Sequence, residues 1–161
     1  MNIVGVRIDG RLVHGQVANL WTPKLQVDRI IVIDDAASTD DIQKSGLRMA
    51  TPMTTRLSVL NYKVAADHIN NERYGKQRVF LVAKKPQEYL KLLNEGVQLK
   101  SINVGTMSQT PTTKAVTKQI NVEQEDIEVF DEIAKKGVEL TAQLTPSDES
   151  HDFMKLLDAV R

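Results

Sequence analysis

The stretch "NIVGVRIDGRLVHGQVANLW", residues 2–21, changes its period midway. Ile3–Ile8 is a short apolar run of strand character. Val13, Val17, Leu20 and Trp21 instead recur at i, i+4, i+7 and i+8, which lines one face of a helix. The link between them, Asp9–His14, is polar and carries Asp9, Arg11 and His14, with Gly10 and Gly15 on either side of Arg11–His14. A strand that feeds a helix through a short polar loop is the repeating half of an α/β fold.

The same alternation continues to the end of the chain. Further strand-like runs lie at Arg29–Ile33, Leu57–Leu60, Val79–Val82, Ile102–Val104, Val116–Val122 and Val138–Leu144. A second helix is expected from a capping-box-like start at Ser38 and Asp41, a third over Tyr62–Asn71, and a fourth from Pro86 to its stop at Gly96. The fifth, from about Glu123 to Lys136, has acids at its start, lysines at its end and Gly137 after it, as the helix dipole favours. A sixth follows Pro146–Ser147, with Phe153, Leu156, Leu157 and Val160 inward. The expectation is a single domain over residues 1–161: an open, mostly parallel seven-stranded sheet with about six helices on both faces. No repeat, low-complexity tract or linker interrupts it.

Composition narrows the function. At 41% hydrophobic and 26% charged, the 161-residue chain is far from a disordered profile. Lysine plus arginine and aspartate plus glutamate are balanced at 21 each, so no global field draws it to nucleic acid or anionic lipid. Cysteine is absent, which excludes disulfide and thiol chemistry. No leader is read at the amino terminus and no run approaches the ~18 apolar residues of a membrane span, so a cytoplasmic location is expected.

In open α/β sheets ligands collect beyond the carboxyl ends of the strands, which directs attention to the loop holding His14. A neutral imidazole is a nitrogen nucleophile, and just ahead of a helix it lies near free backbone N–H groups that attract anions. Gly15 permits close backbone approach, Arg11 supplies a guanidinium fork for phosphate oxygens, and Asp9 is placed to orient the imidazole or pin the arginine. One reading is a site that accepts and releases a phosphoryl group on nitrogen. The other is a loop histidine among arginines that form surface salt bridges. Arg7 is a further cationic candidate, and the Asn103–Thr113 loop, with Ser108, offers hydroxyls and amides to a phosphate cradle.

The remaining candidates are weaker. Asp34 and Asp35 end the second strand and read either as an acid or Mg²⁺ site or, preferably, as a polar exit into a helix cap. Lys84 and Lys85 read as solvated, with a docking rim as the alternative. His68 and His151 lack a partner at metal-ligand spacing and read as solvated or structural, His151 in the first turn of the last helix. Neither nucleotide-binding glycine motif nor a nucleophile elbow is present, and no metal or cofactor is expected.

The whole motif "VRIDGRLVHGQV", Val6–Val17, resembles the signature of the IIB proteins of the mannose–fructose–sorbose family of the bacterial sugar phosphotransferase system, V-R-[IV]-D-x-R-[LI]-[IV]-H-G-Q-V. Every defined position matches. "MATP" at residues 49–52, "NVGTMS" at 103–108 and "LTPSDE" at 144–149 support the resemblance over the full length. It implies a phosphohistidine–sugar phosphotransferase in which His14 receives a phosphoryl group from a IIA partner. In that scheme His14 passes the group to a sugar held by the membrane components IIC and IID. Arg11 would bind the phosphoryl group, with Asp9 in support and the backbone around Gly15 and Gln16 cradling its oxygens. Arg7 and Ser108 join this set as phosphate-binding candidates. The early position of the motif resembles a free-standing IIB that docks IIA non-covalently, peripheral to the permease. Gly10 departs from the Thr or Ser expected there. Among sugars, N-acetylgalactosamine is preferred over mannose, fructose and sorbose, and Nδ1 is preferred as the phosphorylated nitrogen. Self-association is left open. The alternative function is a non-catalytic α/β module that binds a phosphorylated ligand or regulates through an acid site.

Overall fold

The computed structural model describes residues 1–161. In chain order the elements are β1 (Asn2–Asp9), a π-helical Val17–Trp21 continued by α1 (Thr22–Leu25), β2 (Arg29–Ile33), α2 (Asp35–Ser38) and α3 (Asp41–Ala50). Then follow β3 (Arg56–Leu60), α4 (Tyr62–Asn70), β4 (Arg78–Ala83), α5 (Pro86–Asn94) and β5 (Ser101–Thr106). The chain ends with β6 (Lys114–Ala115), β7 (Asn121–Val122), α6 (Gln124–Lys135), β8 (Glu139–Ala142), β9 (His151–Asp152) and α7 (Phe153–Asp158).

Seven strands form one sheet in the order β3-β2-β4-β1-β5-β8-β9, all parallel except the β8–β9 pair. Unbroken apolar runs such as "IIVI" in β2 and "VFLVA" in β4 are fully buried, because helices cover both faces of a parallel sheet. On one face Val17, Ala18 and Trp21 pack with Ala37 and Leu47 of α2 and α3. On the other, Ala65, Tyr89, Phe130 and Phe153 bring α4, α5, α6 and α7 onto a larger cluster. Gly96 and Gly137 terminate α5 and α6 at φ +89° and +85°, left-handed positions that glycine adopts without strain.

Three expectations change in detail. Val116–Val122 is no strand of the main sheet: the Thr117 hydroxyl accepts from the amides of Gln119 and Ile120 and turns the chain back, making the small β6–β7 ribbon. The seventh strand is β9, so His151 lies in a strand and not in the last helix, whose cap is Asp152 at the Lys155 amide. The second helix begins at Asp41 under an Asp40 cap, and Asp34 caps a separate short α2 through the Ala37 amide at 2.9 Å. Seven helices result, because an aspartate cap sits on each side of Thr39.

The connections place the site. From β1 the chain moves outward to β2 and β3, whereas β5 leads the other way to β8. The carboxyl ends of β1 and β5 therefore border a crevice where successive connections diverge, the position at which such sheets bind ligands.

Candidate functional site

Asp9 is the last residue of β1, and its carboxylate is fully buried. One oxygen, Oδ1, accepts three hydrogen bonds: from His14 Nε2 at 2.9 Å, from the Arg11 backbone amide at 3.1 Å and from the Thr106 hydroxyl at 3.1 Å. The other, Oδ2, accepts from Arg7 Nε at 3.2 Å. A carboxylate offers only acceptors here, so Nε2 of His14 carries the proton in this contact. Nδ1 of the neutral ring is then left with its lone pair. The His14 side chain is 19% exposed, enough to meet a ligand while its far edge is held from below.

Thr106 reaches Asp9 because of a defect in strand pairing. Ile8 pairs with Val104 and Asp9 with Thr106, so Gly105 is left over as a bulge. The bulge needs glycine: a Cβ at residue 105 would stand 2.2 Å from Cζ of Arg7. Gly10 then donates its amide to Thr106, and Leu12 closes the turn onto the Asp9 carbonyl at 3.0 Å. Leu12 takes φ +60°, a conformation that costs a leucine about 1–2 kcal/mol and that its buried side chain holds in place.

Helical structure starts immediately after this turn. The first helical bond runs from the Ala18 amide to the His14 carbonyl at 2.8 Å, so the amides of Gly15, Gln16 and Val17 precede it and have no partner within the helix. They form the positive end of the helix that carries His14. Five residues on, the Thr22 amide bonds back to Val17 and its hydroxyl reaches the same carbonyl at 2.7 Å, which widens the helix to π geometry. The Gln16 amide oxygen is buried without a protein partner. The Arg11 side chain is exposed and forms no ion pair, so its guanidinium is free.

Arg7 needs correction. As a phosphate ligand it would have to reach the surface, yet it is 0% exposed. Arg7 and Asp9, two residues apart on β1, face the same side beneath the first helix. The guanidinium binds Asp9, the Asn103 amide oxygen and the carbonyls of Gln143 and Leu144, and lies 5.1 Å from the Trp21 ring. Burial lowers its pKa, opposed by the charge of Asp9. Arg7 is thus bonded to Asp9 and has no exposed surface from which to meet a ligand.

Ser108 stands beside the loop, its hydroxyl 2.8 Å from where a Cβ on Gly10 would sit. With Lys84 and Lys85 it borders a cavity of about 170 Å³ next to Gly10. Lys85 is held by Asp126 at 3.4 Å. Asp34, already committed to its cap, belongs to a different loop. His68 is tied through Nδ1 to the Tyr74 hydroxyl at 2.7 Å, and no three metal-ligating side chains converge in the chain. Sequence reasoning missed Thr106, Asn103 and Gly105, which meet the motif only through strand pairing. The phrase "NVGTMS" did flag their loop.

The chain matches the family described as "PTS system sorbose subfamily IIB component" over residues 3–161. It is 33% identical over 157 residues to the PTS system fructose-specific EIIB component of Bacillus subtilis, covering 98% of this chain and 96% of that one. It is 32% identical over 153 residues to the N-acetylgalactosamine-specific phosphotransferase enzyme IIB component 1 of Escherichia coli, covering 94% and 96%. The crystal structure of the IIBSor domain of the sorbose permease from Klebsiella pneumoniae superposes with a TM-score of 0.95 at 31% identity, over 100% of this chain and 99% of that one.

Proposed function

This chain belongs to the sorbose-subfamily IIB components of the PTS system, and on that premise we propose that it carries a phosphoryl group on Nδ1 of His14 between a IIA donor and a sugar. The observation that supports this most is the Asp9–His14 contact, which occupies Nε2 and leaves the opposite nitrogen free beside the open helix end.

Two in-line displacements at phosphorus describe the relay. In the first, the Nδ1 lone pair attacks the phosphorus of a IIA phosphohistidine; the new N–P bond forms as the donor's breaks. In the second, a sugar hydroxyl attacks, the His14 N–P bond breaks and the hydroxyl proton is released. Arg11 and the amides of residues 15–17 stabilise the equatorial oxygens in both steps. Asp9 fixes the ring and its tautomer, and buried Arg7 and Thr106 fix Asp9. Gln16 contributes its backbone amide and Ser108 borders the path of the incoming group. The sugar is delivered by membrane IIC and IID components, with this chain docked at their cytoplasmic side. No helix of the chain is long and apolar enough to cross a membrane. Relatives named for fructose and for N-acetylgalactosamine are 33% and 32% identical to it, so similarity does not rank the sugars.

Phosphoenolpyruvate-driven labelling in a reconstituted system tests the proposal. His14→Ala is expected to take no acid-labile label, and Arg11→Ala to fold normally but accept it 10²-fold or more slowly, the order of loss on removing one charge-stabilising donor. Full labelling of His14→Ala contradicts the assignment. A base-labile label instead favours the acid-site alternative.

A further inference from the structure

A second cationic cluster lies at the opposite, amino end of the outer strands. Arg29 and Arg56 open β2 and β3 and are register partners. With His68 of α4 and Arg73 of the following turn they line a cavity of about 480 Å³ at the free edge of the sheet.

Arg29 is fixed there by neutral groups. Its guanidinium lies over the Tyr74 ring at 4.3 Å, donates from Nε to Gln77 Oε1 at 2.7 Å and from Nη1 to the Ser58 hydroxyl at 2.9 Å. Tyr74 in turn contacts Ser58 at 3.4 Å and His68 at 2.7 Å. Neither Arg29, Arg56 nor Arg73 forms an ion pair, whereas buried Arg7 and the C-terminal Arg161 each have carboxylate partners. Burial lowers the Arg29 pKa; Tyr74 opposes it, and repulsion from Arg56 and Arg73 adds to the lowering. His68 is lowered by burial and by Arg73 and Arg29, and only Asp67 on its own helix opposes this. Three guanidinium groups gather here with no carboxylate paired to any of them, an arrangement that a bound anion relieves.

We propose that this cavity is a second anion site, separate from His14, which takes a small molecule bearing a phosphate monoester. Guanidinium forks match phosphate oxygens bidentately, and a dianion answers three arginines better than a single carboxylate does. Arg29 is preorganised by Ser58, Tyr74 and Gln77, so little side-chain freedom is lost on binding. The volume lies in the range of small-molecule sites and leaves space for more than the phosphate itself.

The His68 imidazole reports occupancy. Its titration is followed by NMR on the full chain at fixed ionic strength with a hexose 6-phosphate, inorganic phosphate, the free hexose or phosphatidylglycerol vesicles. Arg29, Arg56 and Arg73, with Asp67 and Tyr74, are the charged or titratable groups around that ring. The hexose 6-phosphate is expected to raise the His68 midpoint by about one pH unit, and the free hexose to leave it in place. Exposed Arg73→Ser and Arg56→Ser should each remove most of that shift while labelling of His14 stays at the wild-type rate. No shift with the ester overturns the proposal, as does an equal shift with inorganic phosphate, which confines the site to the free ion. A shift with vesicles alone overturns it in favour of a lipid surface.

Discussion

Arg7 and Asp9 form a buried pair whose worth lies in what it holds. Removing one partner strands the other charge in the interior, whereas the intact pair is close to neutral for stability. Arg7→Met is therefore expected to lower the unfolding free energy by about 3–5 kcal/mol in urea denaturation. Unchanged stability with lost phosphoryl transfer would instead return Arg7 to the ligand. At this scale the sequence was informative about identity and silent about direction. His14, Arg11 and Asp9 were legible because they lie within six residues. That Arg7 points inward was not, because it depends on Gly105 leaving room for a guanidinium and on carbonyls of Gln143 and Leu144, more than 130 residues away. The left-handed Leu12 carries no signal either, since its conformation is imposed by the turn onto Asp9 and not by residue type.

Elements with long apolar runs could be read directly; those made by side-chain turns could not. β2 and β4 declare themselves through unbroken runs of buried apolar residues. β9 has two exposed residues, His151 and Asp152, and is a strand only because β8 offers it an edge. Val116–Val122 had a strand-like composition at its ends, but Thr117 turns it back. Asp34 belongs to the same lesson: its carboxylate is used by the Ala37 amide. Asp34→Ala should cost about 1 kcal/mol of stability through the lost cap of α2. The rate of His14 labelling should remain that of the wild type. A greater than tenfold loss of labelling with stability intact would make Asp34 part of the chemistry.

At the scale of the whole molecule, a rigid sheet supports a small strained loop. β4 and the second half of β1 are central and buried, β3 and β9 lie at the edges, and the β6–β7 ribbon stands apart. Amide hydrogen exchange should follow that order, slowest in Val79–Ala83 and fastest in the β6–β7 ribbon. Fast exchange throughout β4 would mean that the sheet centre is not the stable unit. On this frame His14 sits where connections from β1 and β5 diverge, partly exposed on one side and held by Asp9 on the other. We propose that this contact selects the reacting nitrogen. Heteronuclear NMR of the chain labelled with ¹⁵N at histidine, after phosphorylation by the phosphoenolpyruvate-driven donors, measures it directly. One ³¹P–¹⁵N coupling is expected, to Nδ1 of His14, with Nε2 still protonated against Asp9. A coupling to Nε2, or to His68 or His151, would contradict it.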